Sequence, residues 1–167
     1  MRNLGFLIHD DIPQCVNYGK LSDKQNKAIN IIMSHYHTCQ DASPLRMIIQ
    51  GIVGTGKSYL IGAISQALQN ESFLQCSPLL LLVPKSVAAF NIGASTIHSE
   101  LRISIKEFTE LQGIRLTHFQ EELTHIKYIL IDEMSFLGER LIQNIDSHLQ
   151  QAFPENSHKT FGGMYSI

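Results

Sequence analysis

Residues 51–58 read Gly51-Ile52-Val53-Gly54-Thr55-Gly56-Lys57-Ser58 and match the P-loop pattern G-x-x-x-x-G-K-[S/T] in full. A P-loop joins a strand to a helix, and both elements are predicted here. The apolar run over 45–50 indicates a short buried strand, and apolar residues at helical spacing indicate a helix over 59–70. The sequence therefore predicts an α/β domain of the P-loop NTPase class.

The residue types in this loop suit a nucleoside triphosphate and Mg²⁺. Glycines reach backbone angles that other residues avoid, so the main chain can approach phosphate oxygens and turn its N–H groups inward as an anion nest. Lys57 supplies a full positive charge for the β- and γ-phosphates, and the Ser58 hydroxyl is expected to bind Mg²⁺. The loop residues that we expect to bind the nucleotide are Gly51, Gly54, Thr55, Gly56, Lys57 and Ser58.

A second motif lies further along the chain, where the apolar run 128–131 ends in Asp132 and Glu133. Ligands of open α/β sheets bind at the carboxyl ends of the strands. We expect Asp132 to hold Mg²⁺ through its water shell and Glu133 to orient or deprotonate an attacking water, which makes both of them, with Lys57, the predicted catalytic residues. The alternative is that the two acids only favour the start of a helix, where negative charge is stabilising.

Composition narrows the class of protein. The chain has 167 residues and a formal net charge of −2, which suits one globular domain and gives no global electrostatic argument for nucleic-acid binding. Cys15, Cys39 and Cys76 form neither a zinc spacing nor a disulfide framework, which indicates a reducing, intracellular compartment. The longest apolar run, 79–83, is too short to span a bilayer, so we expect no membrane partner.

Strands alternate with helices along the chain, which favours a doubly wound parallel sheet with flanking helices. Ser22, with Gln25 three residues later, is a capping-box pattern for a helix that runs to about His37. Residues 1–20 are predicted to be a loop-like extension. The remaining predictions are a strand buried on both faces at 79–83, a helix at 85–91, a loop or broken helix at 92–101, a short helix at 117–125, a strand at 128–131, a helix at 137–153, a loop at 154–160, and a turn with the start of a strand at 161–167.

Five segments resemble the Pif-type (petite-integration-frequency) DNA helicases of superfamily 1, including the relatives carried by Helitron transposons. They are residues 21–25 as the Q motif, 51–58 as the P-loop, 84–99 as motif Ia, 131–135 as motif II and 161–163 as the lead-in to motif III. The likeness covers about 21–167. Motifs Ia and II make it specific, because a P-loop alone fits many ATPases.

The resemblance implies a RecA-like domain over 21–167 and an ATP-dependent 5′–3′ DNA helicase that uses ATP and Mg²⁺. Its partners would be single-stranded DNA and duplex junctions, in DNA repair, recombination or telomere maintenance, in the nucleus or mitochondrion of a eukaryote. The resemblance implies that Gln25 binds adenine and that Thr96 and His98 lie along single-stranded DNA. Lys85-Ser86 stands where family members commonly have Thr-Gly, and Lys85 could add a phosphate contact.

The family continues with motif III, its sensor glutamine and a second RecA-like domain that carries arginine fingers. We therefore expect a partial helicase with a sheet that is incomplete at the C-terminus. An arginine finger accelerates phosphoryl transfer by roughly 10³–10⁵, so hydrolysis should be slow. Two alternatives remain open. The first is a different P-loop enzyme such as a small-molecule kinase, and the pair Asp132 and Glu133 counts against it because two acids suit attack by water. The second is a non-catalytic nucleotide- or DNA-binding remnant, and the intact ATPase residues count against it.

Overall fold

A parallel four-stranded sheet lies at the centre of the computed structural model, which describes residues 16–38, 44–72, 76–84, 95–104 and 109–167. The strand order is β2-β1-β3-β4. The strands are β1 Leu79–Val83, β2 Ser95–Thr96, β3 Tyr128–Ile131 and β4 Tyr165–Ser166. The helices are α1 Asp23–Thr38, α2 Lys57–Glu71, α3 Ile97–Glu100, α4 Ile114–Leu123 and α5 Glu139–Ala152, with 3₁₀ turns at Tyr18–Lys20, Met134–Phe136, Pro154–Asn156 and Thr160–Gly163.

Side chains of β1 and β3 alternate between two apolar cores, one on each face of the sheet. Leu79, Tyr128 and Leu130 are buried with residues of α1 and α2. Leu82 and Ile129 are buried with residues of α3, α4 and α5 on the other face. This confirms the prediction of a doubly wound α/β domain, and it confirms that β1 is covered on both faces. Within the described residues, none of the helices has both the length and the apolar character needed to cross a bilayer.

Helix α1 begins with the predicted capping box. The Ser22 backbone N–H donates to Gln25 Oε1 at 2.8 Å, and the Gln25 backbone N–H donates to Ser22 Oγ at 3.4 Å. The box satisfies two N–H groups that the first turn of a helix leaves without an internal partner. Ile29 and Ile32 then bury the inner face of α1. The predicted extent of this helix is confirmed to within a residue or two at each end.

Residues 16–20 pack against α2. Val16 is buried, and its backbone N–H donates to the side-chain oxygen of Gln66 at 2.9 Å. This short stretch lies within the predicted loop-like extension and nevertheless contributes to the core. Residues 1–15 lie outside the described part of the chain, so the domain boundary at residue 20 stays a prediction.

The predicted strand over 45–50 forms only an isolated parallel bridge, between Arg46 and Ser166. Its residues alternate between half-buried and exposed, and Ile48 is 67% exposed, so the prediction of a buried strand is wrong. The described partner of this segment is the two-residue strand β4, which is too short to support a longer ladder. The apolar run instead covers one face of the sheet, where Leu45, Met47 and Ile49 lie against the core shared by α1 and α2.

The predicted loop or broken helix at 92–101 was also wrong in part. The described portion of this stretch contains β2, which pairs in parallel with β1, and the single-turn helix α3. Ser95 and Thr96 form β2, and a strand of two polar residues carries no apolar pattern that could reveal it.

One boundary and one loop are corrected. Helix α4 begins at Ile114 rather than at 117, immediately after Gly113, which adopts φ 56° and redirects the chain. The predicted loop at 154–160 contains the 3₁₀ turn Pro154–Asn156, where proline occupies a first-turn position that needs no N–H donor. The predicted helix at 85–91 lies outside the described residues.

The turn before β4 depends on three consecutive left-handed residues. Phe161, Gly162 and Gly163 have φ values of 54°, 61° and 81°. A Cβ atom on Gly162 would lie 2.4 Å from the carbonyl oxygen of Leu149 in α5. The Asp146 carboxylate of α5 accepts a hydrogen bond from the Phe161 backbone N–H. This turn and the last turns of α5 are therefore fitted to each other at backbone distance.

We expect Gly162→Ala to destabilise the fold by about 2–4 kcal/mol, because it adds left-handed strain to a steric clash with backbone. Gly62→Ala in α2 is the matched control. Its new Cβ would meet only a Val16 methyl at 3.8 Å, so it should stabilise the helix by up to about 1 kcal/mol. Urea unfolding of both variants measures the difference, and equal stability of the two variants would contradict the account of this turn.

His148 is buried on the inner face of α5, and its ring meets Phe119 edge-on with 6.4 Å between centroids. Burial lowers the pKa of His148, and a hydrogen bond with the Leu101 backbone acts in the opposite direction. A histidine with a lowered pKa stays neutral in the folded state at a pH where the unfolded chain is already protonated. The folded state then binds fewer protons, so stability falls as the pH drops below about 6.5.

His148→Leu should therefore flatten the loss of stability between about pH 7 and pH 5, as measured by the urea midpoint at each pH. His118→Gln is the control. The His118 side chain is 60% exposed, so this variant should leave the slope of stability against pH unchanged. Burial also lowers the pKa of His125, so part of the pH dependence of stability should remain in both variants. An unchanged slope in His148→Leu would show that this buried ring does not cause the loss of stability at low pH.

Candidate active site

The P-loop is an exposed turn between the segment 45–50 and helix α2. Gly54 and Gly56 adopt left-handed φ values of 82° and 78°, which only glycine reaches without strain. The Thr55 hydroxyl and backbone N–H both donate to the Ile52 carbonyl, at 2.8 and 3.3 Å. A Cβ on Gly51 would lie 2.6 Å from Thr55 Oγ1, so the turn closes tightly on itself. Helix α2 begins at Lys57, at the end of this turn.

The ammonium group of Lys57 lies inside the turn. Its Nζ donates to the carbonyls of Gly51 and Ile52, at 2.7 and 3.1 Å. Ser58 is exposed in the first turn of α2, one residue further on. The N-terminus of a helix adds about half a positive charge, so the loop offers a lysine, a hydroxyl and helix N–H groups to an anion.

Gln25 reaches the same loop from the first turn of α1. Its Nε2 donates to the carbonyls of Thr55 and Gly56, both at 3.2 Å. Sequence reasoning expected this residue at a nucleotide base and missed its contact with the P-loop backbone. The spacing between the two segments carries no signal for that contact, because it depends on how α1 packs against α2.

The two acids occupy the end of β3. The Asp132 backbone N–H donates to the Leu82 carbonyl at 3.0 Å, which continues the ladder beyond the strand. Asp132 Oδ1 accepts the N–H of Glu133 at 2.9 Å. Glu133 is exposed and adopts φ 61° and ψ 48°, a left-handed conformation that costs a non-glycine residue about 1–2 kcal/mol. Such strain occurs often at functional positions.

The strand register brings these groups to one edge of the sheet. Arg46, Ser166, Ile129 and Leu80 form one row across the strands. Three residues further on, Val83 pairs with Thr96, and Asp132 follows the end of β3 beside them, with its backbone N–H on the Leu82 carbonyl. Adjacent strands lie about 4.8 Å apart, so Asp132 is roughly 10 Å from Thr96. The segment that leads into the P-loop pairs in parallel with β4 at Arg46, so it runs toward the same edge.

The predicted DNA-contacting residues are only partly described. Thr96 lies at this edge, and its hydroxyl oxygen caps α3 by accepting the Ser99 N–H at 3.3 Å. His98 is half-buried in the same single-turn helix. Lys85 lies outside the described residues. The structure therefore brings Thr96, and next to it His98, to the edge that holds Asp132.

The donor set fits Mg²⁺ held jointly with a phosphate rather than a metal held by protein alone. Among the described residues, no group of three or more histidine, cysteine or acidic side chains is arranged to bind a metal ion. Mg²⁺ usually keeps several waters and takes one or two carboxylates together with substrate phosphates. Ser58 at the start of α2 and Asp132 after β3 offer a hydroxyl and a carboxylate, which are the protein ligands that a P-loop protein supplies for such a shared ion.

A parallel α/β sheet with a P-loop and an acidic strand end at the same edge defines a P-loop protein of the α/β class. Comparison with known proteins places it more narrowly. The chain belongs to the PIF1-like helicase family, whose model matches residues 20–167. This agrees with the family resemblance drawn from the motifs.

The similar proteins are much longer than this chain. It is 27% identical over 153 residues to the ATP-dependent DNA helicase PIF4 of Trypanosoma brucei brucei, covering 88% of this chain and 17% of that protein. It is 26% identical over 115 residues to the ATP-dependent DNA helicase Pif1 of Campylobacter jejuni, covering 64% of this chain and 25% of that protein. A crystal structure of Pif1 helicase from Bacteroides in complex with ADP-AlF3 and ssDNA has the same fold, with TM-score 0.64, 24% identity, and 88% and 31% of the two chains covered.

The backbone at Glu133 yields a prediction that separates strain from chemistry. Glu133→Gly and Glu133→Ala both remove the carboxylate, and only glycine also removes the left-handed strain. We expect the glycine variant to be more stable than the alanine variant by about 0.5–1 kcal/mol, after the entropy cost of glycine is subtracted. Chemical denaturation of the two variants measures this, and a more stable alanine variant would contradict the left-handed geometry.

Proposed function

We propose that this chain forms an ATP-hydrolysing motor domain of a Pif-type DNA helicase, which binds ATP with Mg²⁺ and responds to single-stranded DNA. The observation that carries the proposal is the shared carboxyl edge of the sheet, toward which the segment before the P-loop, strand β3 with Asp132 and strand β2 with Thr96 all run. The names of the relatives, ATP-dependent DNA helicases, and the ADP-AlF3 and ssDNA bound in the Bacteroides structure support it.

Each group has a role in that reaction. The N–H groups of the P-loop and the Lys57 ammonium bind the phosphates, which are stronger acceptors than the neutral carbonyls that Lys57 contacts otherwise. Ser58 and Asp132 would hold Mg²⁺, which supplies positive charge to the transferred phosphoryl group. Glu133 is exposed beside Asp132, where its carboxylate can orient a water and accept its proton.

The DNA would lie along the β2 side of the same edge. The Thr96 hydroxyl retains its hydrogen for donation while its oxygen caps α3, and His98 adds an imidazole next to it. Such groups contact phosphates and fix the position of a strand without reading its sequence. The same proposal includes a phosphate contact by Lys85 and the 5′–3′ unwinding of the family. It also includes the family's roles in repair, recombination and telomere maintenance, and an intracellular location in the nucleus or the mitochondrion.

Turnover by this chain should be slow. The guanidinium of Arg46 donates to the carbonyls of Thr160 and Met164, and that of Arg102 pairs with Glu122 at 2.6 Å. These two of the chain's five arginines thus have structural contacts and are not available as arginine fingers, which accelerate phosphoryl transfer by roughly 10³–10⁵. The family resemblance assigns the arginine fingers to a second RecA-like domain. The chain spans 17% and 25% of the two relatives, so efficient unwinding is a property proposed for the longer protein.

The test is Mg²⁺-ATP turnover with and without single-stranded DNA. We expect slow hydrolysis that DNA stimulates, a loss of at least about 100-fold in Lys57→Ala, and a loss of about 10²–10⁴-fold in Glu133→Gln with nucleotide binding retained. Lys159→Ala is a matched control that removes an exposed lysine from the turn before β4, distant in sequence from both motifs.

The alternatives give different results in the same assay. Phosphoryl transfer to a small acceptor would favour a kinase, and nucleotide binding without turnover would favour a remnant. Hydrolysis that DNA does not change would overturn the motor assignment. Processive duplex opening by this chain alone would overturn the expectation of a partial helicase.

A further inference from the structure

The segment 45–50, which leads the chain into the P-loop, has few backbone bonds to the sheet. Its parallel bridge joins Arg46 to Ser166, through the Met47 N–H on the Ser166 carbonyl and the Ser166 N–H on the Leu45 carbonyl, both at 3.0 Å. A longer strand would repeat such bonds along its length. Among the described residues, the backbone register of this segment therefore depends on one residue pair, and a slip of one residue would turn its half-buried apolar side chains away from the core.

The guanidinium of Arg46 adds contacts that the short ladder lacks. Its two terminal nitrogens donate to two different carbonyls, that of Met164 and, at 3.1 Å, that of Thr160. These carbonyls lie on either side of the left-handed turn 161–163, and the guanidinium carbon also lies 5.5 Å from the ring centroid of Phe161. A planar guanidinium can bond two acceptors at once in a fixed geometry. Arg46 therefore holds the segment to the turn from which β4 begins.

The turn that this guanidinium contacts is itself fixed to α5. The Asp146 carboxylate accepts the Phe161 backbone N–H with one oxygen and the side-chain amide of Gln150, at 2.9 Å, with the other. Gly162 packs against the backbone carbonyl of Leu149 with no room for a Cβ atom. The turn is therefore a firm point of attachment, so a change in its contact with the guanidinium displaces the segment rather than the turn.

Arg46 lies far from the phosphate-binding loop. Gly51 follows five residues later, and extended chain advances about 3.3 Å per residue, so roughly 16 Å separate the two. The guanidinium contacts the turn before β4, at the amino edge of the sheet, whereas the segment runs toward the carboxyl edge. Any effect of Arg46 on a bound triphosphate must therefore act through the position of the segment.

We propose that Arg46 is a positioning residue for triphosphate binding: by fixing the register of the segment 45–50 against β4, it sets where the P-loop begins relative to Asp132. The inference rests on the proposed function, in that the P-loop must bind a triphosphate. Coupling between two sites is reciprocal. If the register favours the ligand, the bound ligand must also stabilise the register.

The first experiment measures the Kd of ATP with Mg²⁺ by calorimetry, in the wild type, Arg46→Met and Arg46→Lys. Methionine keeps the apolar stem and removes both hydrogen bonds, so we expect it to weaken ATP by roughly 5- to 30-fold. Lysine keeps the charge on a single nitrogen, which cannot reproduce the fork over two carbonyls. Its Kd should lie between those of the wild type and the methionine variant.

The control is Ile103→Val, which lowers stability without touching the segment. Ile103 is buried beside α3, which follows β2 at the other end of the sheet. The substitution removes one buried methylene, so the urea midpoint should fall and the Kd of ATP should stay unchanged.

Amide hydrogen exchange gives a readout that a general loss of stability would not move. The Met47 and Ser166 N–H groups make the two bonds that define the register. In Arg46→Met both should exchange faster relative to the amides of β1 and β3. In the wild type, saturating ATP with Mg²⁺ should slow both, because the ligand stabilises the register.

The outcomes separate the inference from the proposed function. An ATP affinity in Arg46→Met equal to that of the wild type, or a loss that Ile103→Val shares at equal stability, would overturn the inference and leave the proposed function in place. If Arg46→Met does not fold, the same comparison with Arg46→Lys decides. If the wild type does not bind ATP, or if Lys57→Ala binds it as well as the wild type, the proposed function fails, and the inference fails with it.

Discussion

The parallel pairing of β1 with β3 is the constraint on which the candidate site depends. Its register sets Leu82 opposite Ile131, so Asp132, the residue after β3, falls in the same row as Val83, the last residue of β1. In a parallel sheet every strand delivers its last residue to the same edge, and the apolar residues before that edge are buried on both faces. Eight paired residues of Leu79–Leu82 and Tyr128–Ile131 thereby fix the position of the acids more firmly than any contact that the acids make themselves.

The sequence predicts those elements whose pattern of apolar residues matches the way they are buried in the fold. The run Leu79–Val83 is apolar at every position, and both of its faces are buried. The segment 45–50 has four apolar residues among six, yet it is paired at one residue and has an exposed face. Apolar content alone does not predict which run becomes a strand, because pairing depends on the neighbouring strands, which a sequence does not display. The two-residue strand β2 is missed for another reason, since Ser95 and Thr96 carry no apolar pattern.

The left-handed residues of the fold and the candidate site also divide into those that the sequence predicts and those that it does not. The order of glycines in the P-loop predicts its left-handed positions, because a residue without Cβ is needed wherever φ is positive, and Gly54 and Gly56 adopt such angles. Glu133 and Phe161 adopt them without that signal. At Phe161 the surroundings supply compensation, since Asp146 accepts its N–H and the Arg46 guanidinium lies 5.5 Å from its ring centroid. Contacts of this kind come from packing and cannot be read from a pattern of residue types.

The contacts of Lys57 bear on how the P-loop is prepared for a ligand. Its ammonium is already confined to the turn by the carbonyls of Gly51 and Ile52, so a phosphate finds the charge in place and less side-chain entropy is lost on binding. The ligand must replace two neutral acceptors, and charge-assisted bonds to phosphate are roughly twice as strong as bonds between neutral groups. Gln25 also contacts the loop, through the carbonyls of Thr55 and Gly56, so several polar contacts hold the loop in this shape. Affinity for an anion then depends on the difference between these internal hydrogen bonds and those that the ligand makes.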